Sequence, residues 1–298
     1  MLNPITPIAI GDRRVIPVVD FVGPGLVAAR VYPNLPPADL TRLLDAYGDD
    51  YADATRTRLW MVAQGFLVLG AGRTILVDTC LGGTKPRRVG AFPGFVSDWL
   101  TALARTGVPR EVVDTVVTTH LHHDHVGWNT ILTPAGDLEP TFPNARYLVV
   151  EGEYRYFTGR RARPLFEQHG DYLADSVLPL ERAGQLDLVA ADYRIDTGIR
   201  LIPAPGHTPG HVVVEITSGN QTALLAADLV HHPLQLRHPE ISAAMCLDPA
   251  ASATSRRRIL DRYADTGALF FASHLPHCGY ISRRDTGYAL IPAASVAR

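Results

Sequence analysis

Within THLHHDHVGWN, residues 119–129, four histidines and an aspartate fall inside six positions: His120, His122, His123, Asp124 and His125. They follow directly on an apolar run that ends at Val117. Imidazole nitrogen and carboxylate oxygen are donors that divalent metals take, and an H-x-H-x-D-H spacing supplies them in two groups. Residues two apart on an extended segment face the same side, so His120 and His122 can reach one ion from a strand end. A turn opening at Asp124 then aims Asp124 and His125 at a second ion, and Gly127 allows a tight exit.

Three later segments each carry a ligand-type residue at the end of an apolar run: His207 in PGHTPGH, Asp228 in AADLVHH and His274 in ASHLPHCG. His120, His122 and His207 give one ion three nitrogens. Asp124, His125 and His274 serve the other, and the Asp228 carboxylate bridges both, leaving room for a shared hydroxide. Nitrogen and oxygen donors with open positions mark a catalytic rather than a structural zinc site. Two divalent ions, zinc first, are the expected cofactors, although manganese, iron and cobalt suit the same donors.

A water shared by two such ions has its pKa lowered from 15.7 toward about 7, so a hydroxide nucleophile exists at neutral pH. Asp124 is then both ligand and catalytic acceptor, orienting the attack. His231, three residues beyond Asp228, is the candidate to stabilise an oxyanion or protonate the leaving group; the alternative is a wall histidine beside His232. His123 is expected to point away, His211 to pack, Trp128 to join the core, and Arg256–Arg258 to form a solvated helix face.

The elements that must position these residues are β-rich. FLVLGAGRTILVDT reads as a hairpin across Gly70–Gly72, and further strands are expected at 114–119, 145–150, 200–203, 211–216, 221–227 and 269–272. A helix is expected in GFVSDWLTALARTG, with Phe95, Val96, Trp99, Leu100 and Leu103 on one stripe and Gly107 as the stop. Another starts with Asp248 as N-cap and Pro249 at its first position, running to Gly267. The region 151–185 reads as helical. Two similar halves of hairpins, helix and strand result, in an α/β protein. Segment 31–60 interrupts the first half as an insertion: a lid, a homodimer contact or a surface excursion.

Composition narrows the function. The 298 residues are 46% hydrophobic and 19% charged, with a net charge of -2, so no basic field exists to collect nucleic acid or an anionic membrane. A small-molecule substrate is expected. Lys85 is the only lysine, which reads as the coding bias of a GC-rich bacterial genome. Three cysteines, with no signal-like start and no membrane-length apolar run, point to a soluble cytoplasmic protein.

The order H-x-H-x-D-H, then His in P-G-H-T-P-G-H, then Asp, then His resembles the metallo-β-lactamase superfamily over roughly residues 60–280. The resemblance implies an αββα sandwich of two similar halves, a single hydrolase domain spanning 1–298, and a dinuclear site at one edge of the sheets. Metallo-β-lactamases proper usually carry Cys or Ser where Asp228 stands, whereas lactonases, glyoxalase II enzymes and organophosphate hydrolases keep Asp. ADLVHHPLQLRHPE is most similar to the branch containing N-acyl-homoserine lactonases and methyl parathion hydrolase. Several lactonases carry Tyr where this chain has His231, as the methyl parathion hydrolase group does.

ILVDTCLGG is similar to the family's early Asp-Thr-Gly turn with Cys80 replacing the glycine. There the resemblance implies that Asp78 orients a ligand histidine. The implied function is hydrolysis of an ester, lactone or related acyl or phosphoryl substrate. The alternatives are a mononuclear iron enzyme like the persulfide dioxygenases and, disfavoured by charge, a metal-dependent nuclease.

Overall fold

A computed structural model describes residues 7–83, 85 and 97–293. They form two compact units, one made of residues up to Asp20 together with Ala63–Tyr193, the other of Phe21–Val62 and the chain from Arg194 onward.

The strands of the first sheet and its neighbouring hairpin are β1 (Ile8–Ile10), β2 (Arg13–Val27), β3 (Arg58–Gly70), β4 (Arg73–Val77), β5 (Thr115–Val117), β6 (Thr130–Leu132), β7 (Leu138–Pro140), β8 (Arg146–Val150) and β9 (Leu186–Val189). The sheet order is β1-β2-β3-β4-β5-β8-β9, and β6 and β7 pair separately. The expected hairpin is β3–β4, antiparallel with Phe66 opposite Val77. From β4 through β5 and β8 to β9 the pairing is parallel, with Val77 opposite Val117. Residues that leave β4 and β5 therefore emerge at the same end, which places Asp78 beside the segment that starts the histidine cluster.

Three findings differ from the sequence reading in this unit. The long strand β2 was not expected, because RRVIPVVDFVGPGLV carries Pro17 and Pro24, which remove ladder donors and disguise a strand. Of the first expected helix, Trp99–Ala104 is helical with Trp99 and Leu103 buried, whereas Phe95 and Val96 lie outside the described residues. The region 151–185 is helical as expected but in short pieces, Glu151–Phe157, Arg163–His169, Tyr172–Ser176 and Leu178–Arg182.

The second unit carries β10 (Ile199–Pro203), β11 (Val212–Ser218), β12 (Gln221–Leu225), β13 (Leu269–Phe271), β14 (Gly279–Arg283) and β15 (Tyr288–Pro292), adjacent in that order. All pairs are antiparallel except β12–β13, where Leu225 stands opposite Phe271. That parallel pair brings the residues after β12 and after β13, Asp228 and His274, to one end.

The long helix of this unit is Pro249–Tyr263, and the Asp248 side chain accepts from the Ala251 amide at 2.9 Å as its N-cap. It ends at Tyr263, because Ala264 is already extended at φ -62 and ψ 136, before the expected stop at Gly267. Its Ile259, Leu260 and Tyr263 pack on Val213, Leu224 and Phe270. Segment 31–60 contributes the helix Pro37–Asp45, whose Leu40 and Leu44 are buried with Tyr32, Leu59, Leu234 and Cys246. Among the described residues no helix is long and apolar enough to cross a membrane.

Candidate metal centre

Each unit gathers its own set of donors. In the first, His120 follows β5, and His122 is the extended residue before the short helix His123–Val126. The two rings converge as the spacing predicts, with Nε2 of His120 3.1 Å from Nδ1 of His122. Asp124, at 16% side-chain exposure, holds Oδ2 3.9 Å from Nε2 of His125. His123 instead stacks on His169, ring centroids 4.7 Å apart.

Asp78 organises this set. Its carboxylate accepts from the Thr119 amide at 2.8 Å, the Thr119 hydroxyl at 2.7 Å and Nδ1 of His125 at 2.8 Å. Because the Thr119 hydroxyl donates to Asp78, its oxygen is left to accept from Nδ1 of His120, 3.2 Å away. Both rings thus carry their proton on Nδ1 and present Nε2 as a bare lone pair, the form that ligates a metal.

The turn that holds Asp78 is strained. Asp78 and Cys80 sit at φ +60 and +51, in the region that glycine prefers. Burial raises the Cys80 thiol well above its ordinary pKa, with Asp20, Asp78 and Asp124 adding to it, so it stays protonated. Gly127 is needed for close approach rather than for an unusual φ: a Cβ there would lie 2.1 Å from the Leu81 carbonyl carbon.

In the second unit His207, Asp228, His231 and His274 come together. Oδ2 of Asp228 lies 3.2 Å from Nε2 of His207 and 3.1 Å from Nε2 of His231. Nε2 of His274 is 3.2 Å from Oδ1. All four side chains are buried. Desolvation pushes His207 down to about 3 against the pull of the Asp228 charge, and lowers His231 for the same reason, so both imidazoles are neutral.

Tautomers decide what this cluster can hold. Nδ1 of His274 donates to the Val62 carbonyl at 2.9 Å. Nδ1 of His207 faces Sγ of Cys246 at 3.5 Å, and that thiol donates onward to Ser252, leaving the sulfur to accept. Both Nε2 atoms are therefore lone pairs turned on carboxylate oxygens, acceptor against acceptor. A single proton on Asp228 could satisfy one of them, whereas a divalent cation between the carboxylate and each imidazole satisfies both. Two donors on one tetrahedral zinc stand about 3.3 Å apart, close to the separations found. The residues fit a divalent metal.

His231 differs from its neighbours. Its Nδ1 has no hydrogen-bond partner among the described residues, so no acceptor fixes its proton there. Its backbone is fixed, the amide donating to Oε1 of Gln235 at 2.8 Å. His211 packs behind the cluster: Nδ1 donates to the Ala204 carbonyl at 3.0 Å and Nε2 accepts from the Asp228 amide at 3.3 Å.

Supporting residues that the sequence reading missed include Glu153, whose buried carboxylate takes the Leu121 amide at 2.9 Å between His120 and His122. Lys85 is another, its ammonium on the Gly127 carbonyl and the Thr130 hydroxyl, both at 2.6 Å. Arg256 departs from the expected solvated face; it has no exposed surface, whereas Arg257 and Arg258 are exposed. Trp128 packs against the core as expected and donates to Ser97 at 2.7 Å.

Several known proteins resemble the chain. An N-acyl homoserine lactonase from a Bacillus species is 29% identical over 150 residues, 46% of this chain and 51% of the relative. A probable metallo-hydrolase of Mycobacterium tuberculosis is 30% identical over 173 residues, 53% of each. The chain thus spans about half the length of these curated relatives.

Two solved structures share the fold. One is described as the hydrolase AbOPH in the beta lactamase superfamily, with TM-score 0.81, 24% identity and 98% coverage of both chains. The other is AidC, described as a dizinc quorum-quenching lactonase, with TM-score 0.79, 23% identity and 97% coverage of both. The family model of the metallo-beta-lactamase superfamily matches residues 59–274, and the chain belongs to that superfamily.

Proposed function

We propose that the chain is a metal-dependent hydrolase that uses two divalent cations, zinc first, to open an ester, a lactone or a related acyl or phosphoryl bond of a small molecule. The observation that carries the reading is that Nε2 of His207 and of His274 each lie 3.2 Å from an Asp228 carboxylate oxygen while Nδ1 of each ring faces an acceptor on its other side. Family membership and the lactonase relatives support it. The three cysteines are free and buried, which suits a reducing, cytoplasmic setting.

On this reading His120, His122 and His207 hold one cation, Asp124, His125 and His274 the other, and Asp228 serves both. The cations would supply Lewis acidity, polarising the substrate oxygen and making water acidic enough to attack at neutral pH. Asp124 accepts a hydrogen bond from the attacking water and orients it. Asp78 keeps His125, and through Thr119 also His120, in the ligating tautomer. His231, a neutral imidazole whose Nδ1 has no acceptor and whose Nε2 lies 3.1 Å from Oδ2 of Asp228, keeps its proton on Nε2 and offers it as a hydrogen bond to the developing oxyanion.

The test is a hydrolysis panel of N-acyl homoserine lactones, aryl esters, thioesters and phosphotriesters on protein of known metal content, with Asp228→Ala as control. Turnover of at least one class, lost in the variant, is expected. Inactivity across the panel in fully metal-loaded protein would overturn the hydrolase reading.

A further inference from the structure

His207 is braced from behind by groups that the proposed chemistry does not use. Its Nδ1 faces Sγ of Cys246 at 3.5 Å, the thiol donates to Oγ of Ser252 at 3.4 Å, and that oxygen also accepts from Nη2 of Arg256 at 3.0 Å. Cys246, Ser252 and Arg256 are all buried. The other donors of Arg256 go to backbone: Nε to the Leu229 carbonyl at 2.7 Å, and Nη1 to the carbonyls of Pro239 at 2.8 Å and Ile241 at 3.1 Å.

Leu229 follows Asp228 directly, so one guanidinium is tied on one side to the neighbour of Asp228 and on the other, through Ser252 and Cys246, to His207. Ser252 and Arg256 are four residues apart on the helix Pro249–Tyr263 and share a face. The same end of that helix seats the His207 loop. Ser255 donates to the Pro205 carbonyl at 2.7 Å, and the amides of Leu247 and Asp248 donate to the carbonyls of His207 and Gly206 at 2.9 and 2.8 Å. A Cβ on Gly206 would lie 2.0 Å from the Ser252 nitrogen, so the loop and helix meet backbone to backbone.

We propose that Cys246 is the positioning residue of His207, its sulfur fixing the Nδ1–H tautomer, and that Arg256 locks His207 and Asp228 into one preorganised pair. The inference rests on the reading of those two residues as metal ligands. The sulfur takes the place that a carboxylate takes behind His125, so it orients the ring without adding negative charge.

The full chain is compared as wild type, Cys246→Ala, Cys246→Ser, Ser252→Ala and His207→Ala. The measurements are zinc affinity by chelator competition, the visible spectrum of the cobalt-loaded protein, and thermal unfolding without metal. Cys246→Ala is expected to weaken zinc binding about ten- to a hundredfold and shift the cobalt bands, as loss of an outer partner of a ligand does. Some metal-free stability is lost as well, because the Nδ1–H of His207 loses its buried acceptor, and Cys246→Ser, which keeps an acceptor, should recover most of the affinity. Wild-type affinity and spectrum in Cys246→Ala would overturn the proposal, as would equal loss in the Ala and Ser variants.

If Cys246→Ala does not fold, imidazole ¹⁵N shifts of the metal-free wild type decide. An Nδ1–H tautomer at His207 supports the proposal, and an Nε2–H tautomer overturns it. A wild-type chain that takes up no zinc, or His207→Ala binding as tightly as wild type, overturns the ligand reading itself and the inference with it.

Discussion

The Nδ1–H of His274 donates to the carbonyl of Val62 at 2.9 Å, and this bond fixes what the opposite face of the ring can do. Nε2, without a proton, is left 3.2 Å from a carboxylate oxygen of Asp228. A buried acceptor set against a buried acceptor is unfavourable unless a cation lies between them.

Asp228→Asn keeps the shape of that side chain and removes its charge. The amide would donate to one imidazole and could no longer serve two cations. Hydrolysis is expected to fall by more than about a hundredfold, beyond the loss typical of residues one layer further out. Turnover together with elemental analysis of the variant checks this, and full activity would contradict it.

Asp78 separates orientation from stability. Asp78→Ala leaves the Thr119 amide, the Thr119 hydroxyl and Nδ1 of His125 without their acceptor, which should cost about 1–3 kcal/mol of stability and about ten- to a hundredfold in metal affinity. Asp78→Asn restores an acceptor for Thr119. With its amide nitrogen opposite His125, it drives the ring proton onto Nε2, the metal-facing atom. Denaturant titration should show the Asn variant more stable than Ala, while chelator competition shows both binding metal weakly.

Gly127→Ala tests the turn that exits the histidine cluster. A methyl 2.1 Å from the Leu81 carbonyl carbon forces backbone apart, and a loss of at least about 1–3 kcal/mol is expected by denaturant titration. An unchanged midpoint would show that the two segments do not meet as described.

How much of this was legible in the sequence depended on how local each signal was. His120, His122, Asp124 and His125 lie within six positions, and His207, Asp228 and His274 each follow a short apolar strand bounded by glycine, proline or a turn. The helix from Pro249 was equally legible, because Asp248 and Pro249 mark its start in adjacent residues. Cys246, Glu153 and Lys85 were not, since each acts on a residue more than thirty positions away and nothing in the sequence links the partners. Arg256 was misread because a run of three arginines on a helix looks solvated, whereas carbonyls from the segment after Asp228 absorb its donors. Strand β2 was hidden by its prolines.

Acid should destabilise the metal-free protein through His207 and His232, both held down to about 3 by burial. An unfolded histidine titrates near 6.5, so between about pH 6.5 and 3 the unfolded state binds protons that the folded state does not. Stability is full above that window and falls with pH by up to about 1.4 kcal/mol per unit for each ring. Melting temperatures of metal-free protein from pH 7 to pH 4 should decline accordingly, and His232→Asn should make the decline shallower. A pH-independent melting temperature would contradict the burial of these rings as neutral species.

Metal stoichiometry bears most directly on the central claim. The purified chain, loaded with excess zinc or manganese and freed of unbound ion, should contain two equivalents of divalent metal by elemental analysis, and Asp228→Ala should hold fewer. One equivalent or none in the wild type under those conditions would contradict the account.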